Sequence, residues 1–114
     1  MVKSIVEDGQ KKFEAPTKRE RIISEQAANQ VKEMMIEVVE KGEAKWLKLN
    51  GYRIAGKTGT AQIPIEGHYD PDKTIASFIG FAPAEDPKFV MLVCLREPKS
   101  SPWGSETAAP LWFE

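Results

Sequence analysis

Cysteine, histidine and long apolar segments are scarce in this chain of 114 residues. Its single cysteine, Cys94, excludes an internal disulfide, and the apolar residues around it predict a buried structural thiol. Its single histidine, His68, has no companion ligands or nucleophile, so we assign it no metal and no base role. No organic cofactor is implied. No apolar segment approaches the ~18 residues of a membrane span, and the first residues do not resemble a signal peptide. We therefore expect the chain itself to be soluble, without a signal or transmembrane segment.

The chain also lacks an excess of charge of either sign. The 16 basic and 17 acidic residues give a formal net charge of -1, and the basic residues form no block interleaved with aromatic side chains. Binding to nucleic acid or to an anionic membrane normally depends on such a basic patch. The sequence therefore predicts no nucleic-acid partner, and its length allows one domain with a modest core.

One helix is predicted from about residue 24 to residue 41, with Ser24 as its N-cap and Gly42 as its terminator. Apolar residues recur between them at helical spacing, at Ala27, Ala28, Val31, Met34, Met35 and Val38. We assign the two methionines to the core. Before this helix, residues 2–6 predict a short strand, and Asp8-Gly9 predicts a turn into a polar return.

Three strands are predicted after the helix, near residues 52–63, 73–82 and 88–97. Residues 64–72 contain two prolines and a glycine, which predicts a loop between the first two strands. The fold class is therefore predicted as α+β, an antiparallel three-stranded meander packed on a helix.

The third strand is apolar on both of its faces, which predicts that it is covered on both sides. The helix is expected to cover one side. A second apolar segment, residues 108–113, is too short to cover the other. We therefore expect a fragment whose core is completed by the remainder of a larger domain or by a second copy of the chain.

The most informative segment, residues 51–62, allows two interpretations. Gly51 followed, after four residues, by Gly56-Lys57-Thr58 matches the spacing of a phosphate loop. Such a loop requires a helix that starts immediately after it, but the following residues lack helix formers and include Pro64. A nucleotide-binding protein is therefore the least favoured alternative.

The second interpretation is an extended strand at the edge of a sheet. Successive side chains of a strand point to opposite faces, so Lys57 and Thr58 can contact one ligand only where the strand borders a cleft. Lys57 offers a positive charge to a carboxylate and Thr58 a hydroxyl donor, while Gly59 leaves the approach open. The free edge can also accept an extended peptide as an added strand.

Residues 54–62 resemble the Lys-Thr-Gly segment of the transpeptidase domain in class B penicillin-binding proteins. The resemblance continues through residues 77–83, 86–88 and 106–111, and is looser before residue 24. It implies that the chain is the C-terminal portion of that domain, with the β-lactamase/transpeptidase-like fold. It also implies a D,D-transpeptidase whose ligands are peptidoglycan stem peptides ending in D-alanyl-D-alanine, and β-lactams. The intact protein would be anchored in the membrane with this domain on the extracytoplasmic side.

The resemblance implies a role for each residue of this strand. Lys57 would maintain the electrostatic potential of the cleft, and Thr58 would bind the terminal carboxylate of the ligand. The backbone N–H of Thr60 would supply half of the oxyanion hole, so Lys57 and Thr60 are the predicted catalytic residues. Gly59 and Gln62 complete the predicted substrate-binding set.

A nucleophile is not predicted in this chain. No serine is followed by lysine three residues later, or by asparagine or aspartate two residues later, so the companion signatures S-x-x-K and S-x-N are absent. Acyl transfer needs an activated nucleophile, so the chain alone is predicted to be inactive. A non-catalytic binding module that retained the Lys57 strand is the principal alternative.

Overall fold

A computed structural model of the protein describes residues 4–14, 20–47 and 49–114. Its elements, in chain order, are β1 (Ser4–Glu7), β2 (Gln10–Glu14), α1 (Glu25–Lys41), β3 (Ala55–Ile65), β4 (His68–Ala82), β5 (Phe89–Arg96) and α2 (Ala108–Phe113). Strands β1 and β2 form a separate antiparallel hairpin, whereas β3, β4 and β5 form an antiparallel sheet in that order. The predicted α+β fold with a three-stranded meander is confirmed. Residues 2–3 of the first predicted strand lie outside the described residues.

Helix α1 begins and ends at the residues that the sequence predicts. Ser24 Oγ accepts a hydrogen bond from the backbone N–H of Ala27 at 3.1 Å. At the other end, the N–H of Gly42 donates to the carbonyl of Val38 at 3.0 Å. Both caps satisfy backbone groups that have no partner within the helix itself.

Helix α1 packs against the start of β3. Ile36 forms a buried cluster with Ala55 and Ala84, and Met35 lies against this cluster. The assignment of Met34 to the core was wrong, since its side chain is 65% exposed. The sheet meets only one side of the helix, and position 34 lies off that side.

A larger cluster lies between the sheet and α2. Phe78 of β4 is fully buried in it, and its ring meets that of Trp112 edge to face, with centroids 5.4 Å apart. Trp112 Nε1 donates to the carbonyl of Met91 at 3.0 Å, which attaches α2 to β5. One face of β5 is therefore covered mainly by α2, while Val39 of α1, the helix predicted to cover it, belongs to the same buried cluster.

The opposite face of β5 is open in the described part of the chain. Val90 is 67% and Leu92 60% exposed, and Cys94 on the same face is exposed too. The prediction of a buried thiol was therefore wrong. An apolar strand pattern indicates that a face is suited to burial, but no described element packs on this one.

The loop predicted over residues 64–72 was also wrong. Strand β3 continues to Ile65 and β4 begins at His68. Between them, Glu66 (φ 48°) and Gly67 (φ 87°) form a two-residue hairpin turn, for which positive φ at both positions is characteristic. The two strands can therefore pair up to the turn.

A bulge accommodates the additional residues of β4. Gln62 pairs with Thr74 and Pro64 with Tyr69, so four residues of β4, 70–73, stand opposite Ile63 alone, which makes three extra residues on the β4 side. Pro64 is tolerated because β3 is an edge strand, where a missing N–H need not break a ladder.

We expect Phe78→Ala to lower the free energy of unfolding by about 3–5 kcal/mol, because it empties the space between the sheet and α2. Ile79→Ala is the matched control, since Ile79 is adjacent but 43% exposed on the opposite face. Its loss should cost about 1 kcal/mol or less. Urea unfolding followed by tryptophan fluorescence measures both values, and equal losses would contradict a core on the α2 side.

Candidate functional site

Strand β3 forms one edge of the sheet and pairs only with β4 among the described strands. Its residues 55–65 are extended, and the backbone passes through Lys57 and Thr58 without curling. A phosphate loop needs a nest of N–H groups and an immediate helix. The edge position predicted for the Lys57 strand is therefore confirmed, and the nucleotide-binding alternative is not supported.

Arg53 fixes the approach to this strand. Its Nε donates to Glu40 at 3.1 Å, its Nη1 donates to Glu85 at 3.4 Å, and its carbonyl accepts from the N–H of Ala84 at 2.8 Å. The hydrogen bond with Glu40 is the main reason that the pKa of Arg53 is raised, so the guanidinium stays charged. Exposed ion pairs of this kind contribute little to stability, and their effect here is to orient the start of β3.

Lys57 reaches around the free edge of β3. Its Nζ donates to the backbone carbonyl of Thr58 at 2.8 Å and lies 3.3 Å from Thr58 Oγ1. No carboxylate in the described ranges forms an ion pair with it, whereas Lys41, Arg53 and Lys88 are each paired. The charge of Lys57 is therefore available to an anion that approaches this edge.

The backbone N–H and C=O groups of alternate β3 residues point toward the free edge. In an antiparallel pair, the N–H and C=O of one residue point together, either at the partner strand or away from it. The carbonyl of Thr58 is reached by Lys57 Nζ, which assigns Thr58 to the outward set. Thr60 lies two residues further on, so its N–H also points away from β4.

Gly59 is required by strand packing as well as by an open approach. A Cβ on Gly59 would lie 2.6 Å from Ser77 Oγ on β4. The same hydroxyl lies 3.5 Å from the Gly59 carbonyl. From the sequence one can predict only that Gly59 leaves room for a ligand. The lack of room beside Ser77 follows from the register of β3 and β4, which the sequence does not show.

A turn ahead of α2 lies against β3 and β4. The N–H of Gly104 donates to Thr60 Oγ1 at 3.1 Å, and Thr74 Oγ1 donates to the carbonyl of Pro102 at 3.0 Å. This turn is missing from the site predicted from the sequence. A separation of 44 residues between Gly104 and Thr60 leaves no local pattern that could reveal the contact.

Two depressions flank β3 and divide the predicted site residues between them. The larger, of about 560 Å³, follows the strand beyond the Lys-Thr-Gly segment. Its walls include Thr60, Gln62, Tyr69 and Trp103. The smaller, of about 220 Å³, contains Lys57 and Thr58 beside the C-terminal end of α1. The predicted residues therefore share one continuous strand edge but not one enclosed pocket.

Within residues 4–14, 20–47 and 49–114, no group of three or more histidine, cysteine, aspartate or glutamate side chains is arranged to hold a metal ion. In the same ranges, no helix combines the length and the apolar character needed to cross a membrane.

Sequence comparison identifies the class of domain. A family model described as the penicillin binding protein transpeptidase domain matches residues 1–113. Stage V sporulation protein D of Bacillus subtilis is 40% identical over 101 residues, which cover 88% of this chain and 16% of that protein. The probable peptidoglycan D,D-transpeptidase PenA of Neisseria flavescens is 35% identical over 99 residues, covering 85% of this chain and 25% of that protein.

Solved structures agree with this assignment. The transpeptidase domain of Burkholderia pseudomallei penicillin-binding protein 3 superposes with a TM-score of 0.71 at 31% identity, over 95% of this chain and 32% of that one. Penicillin-binding protein 3 of Mycobacterium tuberculosis, complexed with ampicillin, superposes with a TM-score of 0.72 at 34% identity, over 93% of this chain and 26% of that one. The chain therefore belongs to the penicillin-binding protein transpeptidase family, and corresponds to part of a class B transpeptidase domain with the β-lactamase/transpeptidase-like fold.

Gly59→Ala should lower the free energy of unfolding by about 1–3 kcal/mol, because the new Cβ overlaps Ser77 Oγ. The double variant Gly59→Ala/Ser77→Ala should recover most of this loss, since the Cβ of residue 77 lies 4.0 Å away. Ser77→Ala alone is the control, and urea unfolding is the measurement. A loss that persists in the double variant would show that Ser77 is not what excludes the side chain.

Proposed function

We propose that the free edge of β3 binds the terminal carboxylate of a D-alanyl-D-alanine stem peptide, or of a β-lactam, as one wall of a peptidoglycan D,D-transpeptidase active site. The observation that carries this proposal is Lys57 Nζ, which lies beside Thr58 and has no carboxylate partner among the described residues. A relative is named as a probable peptidoglycan D,D-transpeptidase, and a structural neighbour was solved with ampicillin.

Two hydroxyls and one ammonium group would share the ligand carboxylate. Thr58 and Thr60 lie two residues apart and therefore on one face of the strand, where they can donate to the two carboxylate oxygens. Each hydrogen bond to a charged group contributes about 1.5–3 kcal/mol. Lys57 adds a positive potential, and Gly59 keeps the edge free of a side chain. Gln62 would contact the ligand where it continues along the larger depression.

The outward N–H of Thr60 would serve as one donor of the oxyanion hole. A peptide that pairs with β3 as an added strand can bring its scissile carbonyl to this N–H. Attack on that carbonyl places negative charge on its oxygen, and one preorganised donor contributes about 2.7–4 kcal/mol to the transition state in a serine protease. Because the N–H points away from β4, it takes no part in the hydrogen bonds between the two strands and can serve in this role.

The remainder of the transpeptidase domain would supply the nucleophile, since S-x-x-K does not occur in this chain. This chain, as the C-terminal portion, would supply the carboxylate and oxyanion contacts. The same remainder would cover the open apolar face that carries Val90 and Leu92. The intact protein would be anchored in the membrane and act outside the cytoplasm, where peptidoglycan stem peptides are cross-linked.

The chain alone should form no covalent adduct with a fluorescent penicillin, because it lacks the nucleophile. Mixed with the nucleophile-bearing remainder of the Burkholderia pseudomallei domain, expressed separately, it should restore acylation. Lys57→Ala in the chain should then reduce the acylation rate by about tenfold to hundredfold, as expected for a lost contact to a charged ligand.

Lys88→Ala is the matched control for charge, since Lys88 is an exposed lysine already paired with Asp86. It should leave the acylation rate within about twofold of the parent. Stoichiometric labelling of the chain alone, or restored labelling that does not depend on Lys57, would contradict the proposed function.

A further inference from the structure

Gly104 makes a contact that the binding edge described above does not use. Its N–H donates to Thr60 Oγ1 at 3.1 Å, in a partly buried position. A Cβ on Gly104 would lie 2.5 Å from the carbonyl oxygen of Ser77 and 2.6 Å from that of Gly59. Both are backbone atoms, so no change of rotamer can make room for it. The backbone can approach Thr60 this closely because the residue is glycine.

The turn that carries Gly104 is held from two directions. The carbonyl of Gly104 accepts from the N–H of Ala109 at 2.8 Å, which ties the turn to α2. The preceding carbonyl of Pro102 accepts from the buried hydroxyl of Thr74 at 3.0 Å, which ties the turn to β4. The position of the Gly104 N–H is therefore fixed before a ligand arrives.

The hydroxyl of Thr60 has one proton to donate and two lone pairs that accept. One lone pair accepts the Gly104 N–H, and no acceptor for the proton is found among the described residues. A hydroxyl that accepts one hydrogen bond becomes polarised and donates the next one more strongly. Thr60 is thus held as a donor on the wall of the larger depression.

We propose that Gly104 is a positioning residue, whose N–H holds the Thr60 hydroxyl ready to donate to the carboxylate of the ligand. This inference rests on the proposed function, in which Thr60 contacts that carboxylate. In this proposal Gly104 does not contact the ligand directly. It acts through Thr60, and its replacement would move the turn and release the hydroxyl.

The hydrogen bond itself is tested in the chain alone by amide hydrogen exchange, read at Gly104 by NMR. Thr60→Val removes the acceptor while keeping the shape of the side chain, and should raise the exchange rate of the Gly104 amide about tenfold or more. Thr60→Ser retains the acceptor and should keep the protection. Unchanged exchange in Thr60→Val would overturn the proposal.

The positioning role is tested by acylation of the complex formed with the nucleophile-bearing remainder, using ampicillin and its methyl ester. Gly104→Ala should slow acylation by ampicillin about tenfold more than acylation by the ester, which lacks the carboxylate charge. In a Thr60→Val background, Gly104→Ala should cause no further change in the ratio of the two rates, because the two residues act through one bond.

Thr107→Val is the matched control. It removes the hydrogen bond from Thr107 Oγ1 to the carbonyl of Trp103, at 2.7 Å, within the same turn but away from Thr60. The ratio of the two acylation rates should stay within about twofold of the parent, because only a bond to Thr60 affects the carboxylate.

The outcomes separate this proposal from the one on which it rests. Three results would overturn the positioning role alone. Gly104→Ala could slow acylation by both compounds equally, or Thr107→Val could change the ratio of the two rates as much as Gly104→Ala does. Gly104→Ala could also change this ratio further in the Thr60→Val background. A parent complex that is not acylated, or that does not depend on Lys57, would overturn the proposed function and the positioning role with it.

Discussion

The shape of the binding edge depends on a contact among three backbone segments. Gly59 of β3 and Gly104 of the turn ahead of α2 both meet Ser77 of β4, and an added Cβ on either would displace an atom of Ser77. At Gly104 the atoms in contact are carbonyl oxygens, which cannot move without moving a strand. The edge is therefore shaped mainly by excluded volume and backbone hydrogen bonds. Such a surface is preorganised, which is what binding a charged group in one fixed geometry requires.

The hydrophobic core supports this contact from behind. Trp112 packs on Phe78 and donates to the carbonyl of Met91, so burial of its indole places α2 on the sheet. The N–H of Ala109 in α2 in turn donates to Gly104. The N–H of Gly104 donates to Thr60 Oγ1, so the buried core is connected to Thr60 through α2 and this turn. Loss of packing at Trp112 would therefore alter the position of the Thr60 hydroxyl, even though Trp112 and Thr60 lie on different elements.

Features that depend on residues close together in the sequence could be predicted, and features that depend on distant residues could not. The caps of α1 at Ser24 and Gly42 act within four residues, and both were correct. The Glu66-Gly67 turn is local too, but the flanking prolines suggested a loop, and the bulge that absorbs them depends on pairing with the other strand. Burial of Cys94 was predicted from its own strand, whereas its exposure depends on what other elements leave uncovered.

The same distinction applies to the site. The Lys57 strand could be predicted because its motif is contiguous, and alternation alone requires an edge for neighbouring side chains to share a ligand. The contact between Gly104 and Thr60 joins distant parts of the chain and appears only when α2 is packed. A strand motif thus indicates which chemical groups lie on the strand edge. Tertiary contacts determine which of these groups are fixed in position.

Among the described residues no carboxylate pairs with Lys57, and this follows from where the acidic residues lie. The chain has 17 of them, and Glu37, Glu40 and Asp86 are each paired with another basic residue. An acidic neighbour beside Lys57 would satisfy the ammonium group but would also compete with a ligand carboxylate for it. A lysine on an edge strand additionally disfavours edge-to-edge pairing with another sheet. Lys57 thus leaves its charge available at this edge and at the same time disfavours pairing with a second sheet.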